Sequence, residues 1–138
     1  MRSLQTYAVA LAALMLVGCA SSSQVRLQGG AQAPAAEGAV KLSTGPNANT
    51  RLEISVHHLA PPERVTSGAT VYVVWARPFQ QGAAPQNLGA LQVNDQLDGV
   101  LDSVTPLRNF ELMVTAEQAA TVLQPSGPPI LSAPINRS

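Results

Sequence analysis

"TVYVVWA", residues 70–76, decides the fold. Valine, tyrosine, tryptophan and threonine favour a pleated, packed surface, and no glycine or proline interrupts them. The stretch is apolar on both faces, which predicts a central strand covered on each side. Two loops bound it. Upstream lies "APPERVTSGA" (60–69), where Pro61 and Pro62 cannot serve a central strand; downstream lies "RPFQQGAAPQ" (77–86). Before the first loop, "RLEISVHH" (51–58) alternates. Leu52, Ile54 and Val56 fall on one face, and Arg51, Glu53, Ser55 and His57 on the other, as in a half-buried strand.

Further from the centre the same signals recur. "AVKLS" (39–43), "NLGALQV" (87–93), "VLDSV" (100–104), "NFELMVT" (109–115) and "ILSA" (130–133) read as short strands, with Phe110, Leu112 and Val114 pointing inward. "GPNAN" (45–49), "NDQLDG" (94–99) and "PSGPP" (125–129) are turn clusters. "AEQAATVLQ" (116–124) is ambiguous, since its alanines favour helix but it is short and flanked by strands. About seven short strands at regular spacing predict an all-β fold: one small sandwich, immunoglobulin-like in architecture, over residues 39–138.

The N-terminus reads differently. Arg2 precedes an apolar run, "AVALAALMLV" (8–17), that is too short to span a bilayer but suits an export signal. Leu16-Val17-Gly18-Cys19 closes it and contains the only cysteine of the chain. This motif resembles the lipobox of bacterial lipoproteins. The resemblance implies a signal peptide over residues 1–18, recognised through Leu16, Val17 and Gly18, and a Cys19 thiol that takes a diacylglycerol and becomes the new N-terminus. Two or more acyl chains (palmitate among them) anchor a protein stably, which one chain does not. Ala20 follows the cysteine, where an aspartate commonly marks inner-membrane retention, so the outer membrane is favoured if the organism has one. Residues 20–38, "ASSSQVRLQGGAQAPAAEG", lack a sustained apolar period and read as a flexible tether reaching roughly 25 Å.

Composition excludes several classes. Eight basic and eight acidic residues balance over 138 positions, so nothing predicts nucleic-acid binding. One cysteine excludes an internal disulfide framework and a multi-cysteine zinc site.

The strand order carries a second resemblance. Tyr72 and Trp75, Leu88 and Gly89, Phe110, Val114, Thr115 and Glu117, and the turn from Pro125 to Pro128 occupy positions seen in the extracytoplasmic C-terminal domain of anti-sigma-K-type factors. Residues 50–133 are similar to that domain. The sigma-binding helical domain and the transmembrane helix of that family have no counterpart here. The resemblance therefore implies a small sandwich used outside the cytoplasm for interaction or sensing.

Candidate chemistry is sparse. His57 and His58 are adjacent on a strand, so their rings point to opposite faces. Asp95, Asp98 and Asp102, with Asn94 and Gly99, form an acidic stretch that matches no EF-hand spacing and suits a hairpin turn equally well. Asp95, Asp98 and His58 are the metal candidates. Glu53, Glu63, Glu111 and Glu117 form no catalytic pair in sequence, and Ser67-Gly68 and Ser126-Gly127 lack the frame of a nucleophile elbow. Trp75 reads as core. The expectation is a non-enzymatic, cofactor-free envelope protein, lipid-anchored at Cys19, whose sandwich binds an envelope partner. The alternatives are a sensory partner in envelope signalling and a small-ligand or metal binder.

Overall fold

The computed structural model describes residues 22–138. In chain order it contains β1 (Ser23–Gly29), β2 (Glu37–Thr44), β3 (Thr50–His57), a single helical turn α1 (Pro62–Val65), β4 (Val71–Pro78), β5 (Gln86–Ala90), β6 (Gln92–Val93), β7 (Gly99–Thr105), β8 (Asn109–Glu117) and β9 (Leu131–Asn136). All strand pairs are antiparallel. The order is β5-β4-β8-β9-β1-β2-β3-β7-β6, a single sheet folded over on itself.

Two segments turn the corners. Residues 23–27 of β1 pair with β2, and then Gln28 and Gly29 pair with β9 in the opposite layer. At the other side one extended run forms β5 against β4 and, after Leu91, β6 against β7. A bulge helps that run to turn: Leu88 is the extra residue where the register shifts, and Gly89 follows at φ +125°, a conformation that disfavours any side chain. Ser103 Oγ donates to Leu88 O at 3.1 Å, which stitches β7 to β5 across the seam. The result is a flattened, nearly closed sandwich. With β1 set aside, its layers run β2-β3-β7-β6 and β5-β4-β8-β9, the strand order of an immunoglobulin sandwich.

The strands expected from sequence are present, and two features differ. The run over residues 87–93 is divided between two layers. The flexible tether expected over residues 20–38 is, from Ser23 to Gly29, a paired strand. Leu27 is 5 % exposed and packs in the core, so this segment gains the apolar burial that its composition did not advertise. Ala33 and Ala36, in the turn that follows, are buried as well. The ambiguous residues 116–124 do not form a helix: Ala116 and Glu117 extend β8, and the rest begins a long loop.

Leu52, Ile54 and Val56 of β3 meet Tyr72, Val74 and Ala76 of β4 and Phe110, Leu112 and Val114 of β8 in one core between the layers. The Tyr72 hydroxyl donates to Ala60 O at 2.6 Å and ties the connection after β3 to that core. No helix among the described residues is long and apolar enough to cross a membrane.

Candidate interaction surface

The two layers present very different outer faces. On the β4–β8 layer, Val73, Trp75 and Met113 form a second buried cluster that faces away from the inter-layer core, with Val122 packed over it. This is why residues 70–76 are apolar on both sides. Trp75 is fully buried, as expected, but against Val122 of the loop after β8 rather than between the sheets. A chain of polar contacts holds that loop down. The indole Nε1–H of Trp75 donates to Thr115 Oγ1 at 2.8 Å, and the Thr115 hydroxyl donates to Glu117 Oε1 at 2.6 Å. The same Glu117 oxygen accepts the backbone N–H of Ser126 at 2.9 Å. Asn87 Nδ2 on β5 donates to the carbonyls of Ala120 and Val122. Glu117 is only 2 % exposed, and every fully buried side-chain polar atom among the described residues has a partner.

The outer face of β1, β2, β3 and β7 has no such cover. Each strand sends its polar alternates outward. Gln24, Lys41, Glu53 and Asp102 lie in one cross-strand row, and Arg26, Ala39, Ser55 and Val100 in the next. Lys41 pairs with Glu53 at 3.6 Å, and Arg51 lies 4.0 Å from both Glu53 and Asp102. The small side chains of Ala39 and Ser55 floor a shallow depression of about 580 Å³, with Arg26, Glu37 and His57 at its rim. Such an open, polar surface offers hydrogen bonds and charge to a macromolecule, and little enclosure for a small ligand.

The metal candidates do not converge. His57 Nδ1 lies 3.0 Å from Asp98 Oδ1, whereas His58 follows at φ +57° as the chain leaves β3. Asp95 is exposed in the turn between β6 and β7. There Asn94 Oδ1 accepts the backbone N–H groups of Gln96 and Asp98, which accounts for the Asn-Asp-Gly composition as turn chemistry. Among the described residues no three His, Cys, Asp or Glu side chains cluster as a metal site. Cys19 and its recognition residues Leu16, Val17 and Gly18 lie outside the described residues.

Sequence reasoning missed the buried role of Glu117. The strand parity that puts Thr115 and Glu117 on one face was legible, and so was Trp75 on the neighbouring strand. The returning loop that contributes Ser126 was not. Trp75, Thr115, Glu117 and Ser126, all among the residues that carry the anti-sigma-K resemblance, form one hydrogen-bonded unit. Compared with known proteins, the chain matches no protein-family model and no curated protein sequence.

Proposed function

We propose that this is a lipid-anchored protein of the bacterial cell envelope whose β-sandwich is a non-catalytic interaction module. The anchor rests on the lipobox ending at Cys19, and Ala20 favours the outer membrane. The module rests on one observation: one outer face is sealed by the protein's own loop, while the other is left open with a charged ladder beside a depression floored by Ala39 and Ser55. The occupant of that face is another envelope protein with exposed charges of both signs, because lysine, arginine, glutamate and aspartate alternate across the ladder.

The test places a photocrosslinking residue at Ser55 and, as a reference, at exposed Leu123 on the covering loop, in intact cells. One defined adduct from Ser55 and none from Leu123 supports the reading. No adduct from Ser55 in cells that hold the protein in the membrane fraction refutes the interaction. A Cys19→Ser variant that fractionates like the native protein refutes the anchor. A regulatory partner in envelope signalling is the second reading. It is favoured by the coincidence of the anti-sigma-K-like motif residues with the Trp75–Thr115–Glu117–Ser126 unit, and it requires that deletion abolish an envelope stress response.

A further inference from the structure

The strand directions define two ends of the sandwich. The basal end gathers the 45–49, 79–85 and 106–108 loops and the C-terminus. Thr50 Oγ1 donates to Leu107 O, and the Arg137 guanidinium donates to Ser43 O and Thr44 Oγ1, so both layers meet there. The apical end carries α1 and the 94–98 turn.

Charge divides between these ends. The basal half holds Lys41, Arg51, Arg77, Arg108 and Arg137 against Glu53, Asp102 and Glu111. The apical half holds Arg26 and Arg64 against Glu37, Glu63, Asp95, Asp98 and Glu117. A chain that is nearly neutral overall is thus positive at its base and negative at its apex. At the base Arg77 pairs with Glu111, but neither Arg108 nor Arg137 has a carboxylate within 4.0 Å among the described residues. Phe79, on the 79–85 loop at the same end, is 52 % exposed.

The N-terminus enters at this same end. Ser23 pairs with Leu42, two residues from the basal end of β2. Only Ala20, Ser21 and Ser22 separate it from Cys19, so four residue steps reach at most about 14 Å. The eight-residue strand β3 is about 26 Å long. A chain so short cannot carry a membrane anchor past the base to the apex.

We propose that the basal end is a membrane-docking surface: Arg108 and Arg137 bind the phosphates of an anionic phospholipid leaflet, and Phe79 enters its interfacial region. This deepens the reading above and rests on lipidation of Cys19. It replaces a domain held on a long flexible tether with one seated on the bilayer, with the apical end and the open β1–β2–β3–β7 face directed away from and along the surface. Arginines near an anionic leaflet attract it individually, and an exposed aromatic ring suits the headgroup region.

The test reconstitutes the full lipidated protein into phosphatidylcholine vesicles with and without phosphatidylglycerol, with brominated phosphatidylcholine as the quencher. Phe79→Trp reports the base and Gln96→Trp the apex, each with the native protein as a blank. On anionic vesicles the reporter at 79 is quenched and the one at 96 is not. Arg108 is exposed and its side chain makes no hydrogen bond among the described residues, so Arg108→Glu leaves the fold intact. It changes the base by two charges and lowers the docked-to-undocked ratio about 25-fold. Equal quenching at both positions, or quenching that ignores phosphatidylglycerol and Arg108→Glu, overturns the docking surface while the anchor stands. Failure of the native protein to remain with vesicles, with Cys19→Ser behaving alike, overturns the anchor and the orientation together.

Discussion

Thr115→Val removes one oxygen and tests the polar chain that seals the β4–β8 layer. The hydroxyl accepts from the Trp75 indole and donates to Glu117, and all three side chains are buried. Valine fills the same volume but serves neither bond. The indole N–H is then buried without a partner, at a cost of about 1–3 kcal/mol. Loss of the hydroxyl–carboxyl bond adds roughly 1.5 kcal/mol, and the extra methyl group returns about 0.8 kcal/mol. The net loss is about 2–4 kcal/mol, a large part of the 5–15 kcal/mol typical of a domain. Urea unfolding followed by fluorescence reads it directly, since Trp75 is the only tryptophan. With a slope near 1.5 kcal/mol/M, the midpoint falls by about 1.3–2.7 M. Thr115→Ser keeps the hydroxyl and loses only a methyl group, so its midpoint falls by less than half as much. A Thr115→Val midpoint within about 0.3 M of the native value, roughly 0.5 kcal/mol, would refute the chain as a structural device.

Leu27→Ala separates strand from tether: a buried leucine truncation costs about 2–5 kcal/mol in urea unfolding, and a tether position costs nothing. Gly30→Ala should destabilise by about 1–3 kcal/mol in the same assay, because a Cβ there would sit 2.8 Å from the Pro129 carbonyl oxygen, a backbone atom. Burial, with the Glu63 charge as the smaller cause, pushes the Tyr72 hydroxyl up to about 12 from 10. The unfolded chain therefore ionises first, and stability is lost as pH rises from 10 to 12, by up to about 2.7 kcal/mol from this group. Tyr72→Phe gives up the bond to Ala60 O at neutral pH but flattens that alkaline slope in urea midpoints measured between pH 9 and 12.

The strands legible in sequence are those whose environment is local. Residues 51–58 alternate because one face of β3 meets the core and the other meets solvent, and this periodicity is written in the side chains. The segment 23–29 has only Val25 and Leu27 among polar neighbours. It becomes a strand because β2 lies on one side and β9, more than a hundred residues away in sequence, on the other. No short window contains that information. The same holds for the candidate surfaces. The charged alternates of β2 and β3 were readable one by one, but not the depression they frame, which depends on Ala39 and Ser55 falling opposite each other. The basal arginines come from β3, β4, the 106–108 loop and the C-terminal tail, and only the folded chain collects them.

The continuous run that forms β5 and β6 has a consequence for crowding. Proteins confined to a surface meet one another at high local concentration, and an open strand edge then invites sheet-to-sheet polymerisation. Here both terminal strands of the sheet come from the same stretch of backbone, four residues paired with β4 and two with β7, with a side-chain stitch from Ser103 over the seam. Each of these two terminal strands is short, so it offers a neighbouring copy little edge to extend.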